Sequence, residues 1–231
     1  GAAPKSRRQS SDRVIQPSLL PDPRPPTRDG IDLRCCSCED LRPETVPDVV
    51  VADPPWSYHH DAPAGVPADH YACLSTEEIA RHARDAPGRL LVLWCTWPLL
   101  PEWTRQDVGS WRWVSGGAWI KPEDYGPGYW WSGCSEPVLI CVRDGAHNDR
   151  RELRNAHVEH RGEHSAKPVE WQAQMLRRWC PPGGLVLDLY AGLGSVARAV
   201  LRAGEGRRYL GAEIDPERHA RAMSAIAMER G

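Results

Sequence analysis

The chain has 231 residues, of which 29 are lysine or arginine and 31 are aspartate or glutamate, so its formal net charge is −2. This length suits one domain with an ordinary core, and the balanced charge excludes a chain-wide basic field for non-specific nucleic-acid binding. No apolar run is long enough for a membrane-spanning helix, so none is expected. The eight cysteines show no regular pairing, and the C-x-x-C of Cys35 and Cys38 has no second ligand pair for zinc, which predicts a reduced, cytoplasmic protein without a bound metal.

The first 30 residues differ in composition from the rest of the chain. They are polar and rich in proline, and they lack the apolar period of a helix or strand. We therefore expect a disordered tail over residues 1–30 and one domain over residues 31–231, which begins with a strand at 31–36.

A second strand, expected at residues 48–52, runs directly into the tetrapeptide Asp53-Pro54-Pro55-Trp56. Proline has no N–H, so the carbonyl groups of Asp53 and Pro54 are open to a donor on a ligand. A carboxylate and a carbonyl together can accept both hydrogens of an exocyclic base amine, which favours a localised lone pair on its nitrogen. An indole such as Trp56 can stack on the base. Taken alone, the tetrapeptide would equally suit an ordinary proline turn at a strand end.

The middle of the chain is expected to alternate regular elements with long loops. Residues 54–72 predict a loop over the site, with Tyr58 and His59 as candidate substrate contacts. A second loop, over residues 121–131, is aromatic and carries Tyr125, which could cradle a flipped base. Residues 144–163 predict an exposed excursion whose arginines would contact phosphates or simply be solvated. The regular elements expected around these loops are helices at 76–84, 98–108 and 168–179 and strands at 90–95, 113–120 and 136–143.

A strand, turn, helix, strand and helix are predicted in succession from residue 185 onward. The first strand leads into a turn that contains Gly192 and Gly194, a helix follows at 195–202, and the second strand spans 208–214. Glycines let a ligand approach the backbone, and Glu213 lies about 20 residues later, where an acid would meet ribose hydroxyls. The third glycine of a dinucleotide motif is missing, so a nucleoside cofactor without pyrophosphate fits better. Asp215 is a typical N-cap for the helix that follows.

The tetrapeptide at 53–56 and the glycine-containing segment that begins at residue 185 together resemble sequences of the S-adenosylmethionine-dependent amino-methyltransferases. D-P-P-W resembles their catalytic loop, and D-L-Y-A-G-L-G-S at 188–195 resembles their cofactor loop. The catalytic loop comes first here, as in the beta-class DNA methyltransferases and in the family of the eukaryotic mRNA adenosine N6-methyltransferase catalytic subunit. Tryptophan at the fourth position looks more like the latter family.

Shorter matches to the latter family extend the resemblance over residues 31–228. They are L-S-T-E-E-I at 74–79, L-V-L-W-C-T at 91–96, A-W-I-K-P at 118–122, S-E-P-V-L-I at 135–140 and H-S-A-K-P at 164–168. Each match is short, but the combination is specific.

The resemblance implies a role for each matching residue. The tetrapeptide residues Asp53, Pro54, Pro55 and Trp56 would be catalytic. Asp188 would lie near the methionine amino group of the cofactor, and Lys167 would pair with its carboxylate. The full set of implied cofactor-binding residues is Cys36, Ser37, Asp53, Lys167, Asp188, Tyr190, Ala191, Gly192, Gly194, Ser195, Glu213 and Asp215. The implied substrate-binding residues are Trp56, Tyr58, His59, Lys121, Tyr125 and Glu136.

For the whole chain, the resemblance implies an α/β, Rossmann-like methyltransferase fold with a mostly parallel central sheet, flanking helices and a circularly permuted motif order. It implies methyl transfer from S-adenosyl-L-methionine to N6 of adenine, with DNA as the favoured substrate, in a bacterial or phage-infected cell. The same chemistry on RNA, on a free nucleoside or nucleotide, or on cytosine N4 stays open, as does a catalytically silent nucleic-acid-binding subunit. The chain shows no separate target-recognition domain, so specificity is expected from its loops, a partner subunit or a homodimer.

Overall fold

The computed structural model describes residues 30–57, 73–122, 131–143, 153–160 and 166–230. The tail predicted at 1–30 lies outside this part of the chain, except for Gly30. The strands are β1 Ile31–Arg34, β2 Val49–Ala52, β3 Leu90–Trp94, β4 Arg112–Ile120, β5 Ser135–Val142, β6 Ala156–Val158, β7 Leu185–Asp188 and β8 Arg208–Ala212. The helices are α1 Thr76–Asp85, α2 Leu100–Trp103, α3 Val169–Trp179, α4 Ser195–Ala203 and α5 Pro216–Glu229. None of the helices in the described part of the chain is long and apolar enough to cross a bilayer.

The eight strands form one sheet in the order β1-β8-β7-β2-β3-β5-β4-β6. Strand β5 is antiparallel to both of its neighbours, and the other pairings are parallel. This confirms the expected α/β fold with a mostly parallel sheet. Because β2 and β7 lie side by side and run in the same direction, the segments that follow them meet at one edge of the sheet.

Both faces of the sheet are covered, which explains why its central strands are apolar without interruption. On one face Val49 and Val51 of β2 share a core with α3 and α4, and on the other Val50 and Ala52 pack with α1. The apolar material therefore lies between the layers, and the open edge of the sheet is left for polar chemistry.

Side-chain caps mark where two of the helices, α1 and α5, begin. Ser75 and Glu78 form a reciprocal capping box at the start of α1. The Asp215 carboxylate accepts hydrogen bonds from the amides of Glu217 and Arg218, so the predicted N-cap of α5 is confirmed.

Two predicted elements differ in the structure. The helix expected at 98–108 is only the four residues of α2. Beyond it, the Asp107 carboxylate accepts from the Gly109 amide at 2.9 Å, and Gly109 turns the chain with a φ of 65°. The excursion expected at 144–163 contains β6, which pairs with β4 through Ala156–Val158. Three residues on a sheet edge carry too little periodicity for a sequence-based prediction.

Candidate active site

The site lies where the adjacent strands β2 and β7 end. Val51 of β2 is paired with Asp188 of β7, and the Leu189 amide donates to the Val51 carbonyl at 3.0 Å. Asp53 and the glycine turn, which are far apart in sequence, therefore follow neighbouring strands at the same edge. The catalytic and cofactor segments predicted from sequence are brought together by this pairing.

Asp53 is held by a chain of alternating charges. Lys167 Nζ lies 2.8 Å from Asp53 Oδ2 and 3.2 Å from Glu136 Oε2, and Lys121 Nζ lies 2.9 Å from Glu136 Oε1. The sequence predicted Lys167 beside a cofactor carboxylate and Lys121 and Glu136 beside the substrate. The structure instead places all three in one network with Asp53, and their contacts with cofactor and substrate stay predictions.

Burial opposes the charges of Asp53, Glu136 and Lys167. At Asp53 burial prevails and raises the pKa of the carboxyl, although the Lys167 ammonium beside it acts in the opposite direction. Burial favours the neutral carboxyl of Glu136, but the Lys167 and Lys121 ammonium groups outweigh it and lower its pKa to about 2. Burial likewise opposes the charge on Lys167, but Asp53 and Glu136 raise its pKa above the usual range. The Lys167 contact uses Oδ2 of Asp53, whose side chain is 27% exposed. A carboxylate has about four lone-pair sites, so Asp53 can accept a further hydrogen bond while Lys167 holds Oδ2.

Trp56 lies inside the protein beneath the catalytic loop. The ring is 6% exposed, its Nε1–H donates to the Trp94 carbonyl at 3.1 Å, and it meets Trp103 edge to face at 5.9 Å. Pro54 is buried, and the Pro55 carbonyl accepts from the Leu74 amide at 2.8 Å. In this structure the ring supports the loop from below, and stacking of a base on Trp56 stays a prediction.

The two glycines of the cofactor turn serve different purposes. Both have positive φ, 55° at Gly192 and 78° at Gly194. A Cβ on Gly192 would meet nothing within 4 Å, so this residue faces open space, whereas a Cβ on Gly194 would lie 3.2 Å from Cβ of Ala222 in α5. Gly192 therefore leaves room for a ligand, and Gly194 allows α5 to pack.

Substitution of the two glycines by alanine should separate these purposes. Gly192→Ala should weaken cofactor binding at least about tenfold while costing roughly 1–2 kcal/mol of folding free energy, the usual cost of a left-handed backbone. Gly194→Ala should lower stability more, because the same strain is joined by a close contact with α5. Calorimetric titration with S-adenosylmethionine and urea unfolding measure the two effects. Equal binding losses in both variants would contradict the distinction.

Glu213 connects the glycine turn to the start of α5. Its Oε2 accepts from the Gly192 amide at 2.8 Å, and its Oε1 accepts from the Asp215 amide at 2.9 Å. The carboxylate thus lies beside the open side of the turn, where the sequence predicted a ribose contact. Ile214, which sequence reasoning missed, follows it with 71% of its surface exposed. The sequence feature that could have identified Ile214 is an apolar residue directly after the acidic residue at the end of a strand.

The other predicted cofactor residues surround this turn. Ala191 is buried and its amide donates to the Ala212 carbonyl at 2.8 Å, and Ser195 begins α4. The Tyr190 hydroxyl lies 2.7 Å from His82 Nδ1, which ties the turn to α1. The Cys36 amide donates to the Glu213 carbonyl at 3.1 Å, and Ser37 caps the 3-10 turn at 38–40. Cys36, one of the implied cofactor-binding residues, therefore lies beside Glu213.

Asp188 is completely buried at the end of β7. Its Oδ2 accepts from the Tyr209 hydroxyl at 2.9 Å, and its Oδ1 accepts from the Tyr190 amide at 3.3 Å. Burial raises its pKa to about 7, and the Tyr209 hydrogen bond opposes the shift without cancelling it. Near neutral pH both the protonated and the ionised form of Asp188 are therefore populated.

The raised pKa of Asp188 predicts a pH dependence of stability. The unfolded carboxyl ionises near pH 4 and the folded one near pH 7, so the folded state binds more protons within this window. The Asp188 contribution to stability is present below about pH 4 and is lost as pH rises to 7, by at most about 1.4 kcal/mol per pH unit. Asp188→Asn should remove this component from urea unfolding measured between pH 5 and 8. His82 titrates in both proteins and therefore cancels in the comparison. Identical pH slopes of the unfolding free energy in the wild type and the variant would refute the assignment to Asp188.

Three of the predicted substrate-binding residues fall outside the described ranges. Tyr58, His59 and Tyr125 lie outside the described part of the chain. Among the described residues, no group of three His, Cys, Asp or Glu side chains could hold a metal ion.

A comparison with protein-family models matches residues 102–224, more than half of the chain, to a family described as DNA methylase, the N6/N4 methyltransferases. No curated protein matches the chain.

Solved structures share the fold of this chain at low sequence identity. The M1.HpyAVI–SAM complex is 13% identical, with 85% of this chain and 99% of that chain covered and a TM-score of 0.63. TTHA0409 of Thermus thermophilus in complex with S-adenosyl-L-methionine is 20% identical, with coverages of 86% and 93% and a TM-score of 0.61. The cytosine-N4-specific PvuII DNA methyltransferase is 12% identical, with coverages of 84% and 85% and a TM-score of 0.60. At these identities the likeness establishes the Rossmann-like methyltransferase fold.

Proposed function

Because this chain belongs to the S-adenosylmethionine-dependent N6/N4 DNA methylase family, we propose that it transfers a methyl group to N6 of adenine in DNA. The observation that carries the proposal is the position of Asp53 at the end of β2, next to the glycine turn that follows β7. The proposed acceptor for the amine, Asp53, therefore lies next to the turn proposed to bind the nucleoside cofactor. The resemblance of the D-P-P-W tetrapeptide to the adenosine N6-methyltransferases favours adenine over cytosine.

The residues at the ends of β7 and β8 fit a nucleoside cofactor. Open space beside Gly192 admits a ligand to the backbone, and Glu213 would accept from ribose hydroxyls. The exposed Ile214 side chain offers an apolar surface to the adenine ring. When bound, S-adenosylmethionine supplies an electrophilic methyl group.

Asp53 would hold the amine of the target base in position. Its Oδ1 would accept one N6 hydrogen and the Pro54 carbonyl would accept the other, which directs the nitrogen lone pair toward the end of β7. The Lys167 bridge fixes the carboxylate before the base arrives. Transfer would leave a positive charge on the nitrogen, and the proton would then leave to water, so no strong base is required.

Labelled-methyl transfer to DNA, RNA and adenosine, followed by nucleoside mass spectrometry, tests this proposal. N6-methyladenine in DNA is the expected product. Detection of N4-methylcytosine would show that the target base is cytosine and not adenine. Label found only in RNA or only in adenosine would show that DNA is not the substrate. Sequence specificity would depend on the loops, a partner subunit or a homodimer.

A catalytically silent DNA-binding subunit is the alternative from another class. The presence of both the D-P-P-W tetrapeptide and the glycine turn argues against it. Calorimetry with S-adenosylmethionine separates the two, because a silent subunit would show no cofactor binding.

A further inference from the structure

Trp97 is an exposed tryptophan whose ring is held in place. It is 50% exposed, and its indole Nε1–H donates to Ser135 Oγ at 3.0 Å. By contrast, Trp56, the ring expected to stack on a base, is 6% exposed. An aromatic side chain that is fixed before its ligand arrives loses little conformational entropy on binding. Trp97 is therefore suited to present a flat face to a ligand.

Trp97 lies at the same edge of the sheet as Asp53. It comes three residues after Trp94, the last residue of β3, and its partner Ser135 is the first residue of β5. The next residue of β5, Glu136, is joined to Asp53 through Lys167, with contacts of 3.2 Å and 2.8 Å. A continuous set of contacts thus connects the exposed indole with the proposed amine acceptor.

The strand order then says where a base would extend. The glycine turn follows β7, on one side of β2, so an amine held by Asp53 must point to that side. The rest of the base extends the other way, toward β3 and β5. Neighbouring strands are about 4.8 Å apart, so β3, which precedes Trp97, and β5, which begins at Ser135, lie about one and two strand spacings from β2.

We infer that Trp97, held by Ser135, is the surface on which the target base stacks. The inference rests on the proposed function and names a substrate-binding residue of that site. Base stacking on aromatic side chains tolerates any base, so Trp97 would add affinity, and the choice of base would be made at Asp53.

Three variants test this role. Trp97→Ala removes the ring, and Trp97→Phe keeps an aromatic face without the Nε1–H. Trp113→Ala is a matched control, because Trp113 is 52% exposed and its Nε1–H donates to the Ser115 carbonyl at 2.6 Å. Trp113 lies near the start of β4, at the edge of the sheet opposite the site.

The readouts are kcat and KM for labelled-methyl transfer to plasmid DNA and the Kd for S-adenosylmethionine. Trp97→Ala should lower kcat/KM by about tenfold to a hundredfold and leave the cofactor Kd unchanged. Trp97→Phe should retain most of the activity, and Trp113→Ala should match the wild type. A Trp97→Ala variant within twofold of the wild type, or an equal loss in Trp113→Ala, would overturn the inference.

A separate measurement keeps this test apart from the proposed function. If the wild-type protein methylates no DNA, the proposed function fails. Stacking is then scored by the fluorescence of 2-aminopurine in single-stranded DNA, which an adjacent indole quenches. Quenching by the wild type that is lost in Trp97→Ala supports the inference, and equal quenching by both rejects it.

Discussion

Asp53→Ala should reduce methyl transfer at least about a thousandfold, because it removes the oxygen that would hold the target amine in its reactive geometry. The loss of a single preorganised hydrogen-bonding group at a reaction centre costs about a hundredfold to a thousandfold, and here positioning is lost as well. The fold should survive, since Lys167 keeps Glu136 as a partner at 3.2 Å. Single-turnover rates with saturating cofactor measure the effect, and calorimetry should show cofactor binding within a few-fold of the wild type.

Asp107→Ala is the matched control for this variant. Asp107 also faces a cation, Arg84, at 3.0 Å, but its side chain is 79% exposed and it lies before β4, away from the site. Its removal should leave the rate unchanged. Retained turnover in Asp53→Ala would reject the assignment of the amine acceptor, even if the family membership and the cofactor site stand.

Lys167→Met should destabilise the fold by about 2–4 kcal/mol. The variant leaves Asp53 without its ammonium partner and Glu136 with Lys121 alone, and removing one member of a buried charge network costs about 3–5 kcal/mol. We expect a cost below that general range because the Asp53 and Glu136 side chains are 27% and 22% exposed, so water can solvate part of the charge. Urea unfolding at pH 7 measures the change.

Arg177→Met provides the comparison for a surface pair. Arg177 contacts Glu170 at 3.1 Å, and both side chains are about two-fifths exposed. Such pairs contribute about 0–1 kcal/mol and weaken with added salt. A Lys167→Met variant that loses no more stability than Arg177→Met would show that the network does not contribute to folding.

The sequence is informative wherever the signal is local. The cofactor turn, the N-cap at Asp215 and the apolar strands around it follow from glycine conformation, side-chain capping and continuous burial, all of which act over a few residues. The adjacency of Asp53 and the turn was predictable as well, because parallel strands bring their carboxyl ends to one edge.

The partners of individual side chains were not predictable in the same way. Lys167 precedes α3, yet it contacts residues from the end of β2 and the start of β5, more than a hundred and about thirty residues earlier in the sequence. The orientation of Trp56 likewise depends on a carbonyl of β3. Such contacts depend on how layers pack, and no local period records them.

The dependence of the cofactor turn on α5 has a consequence during synthesis. Gly194 packs against Ala222, and Glu229 joins α5 to α4 through Arg198 at 2.8 Å and Arg202 at 2.6 Å. The half of the site made by β2 leaves the ribosome well before the segment that completes the other half. A nascent chain interrupted before residue 222 would therefore contain Asp53 but lack the surface of α5 against which Gly194 packs.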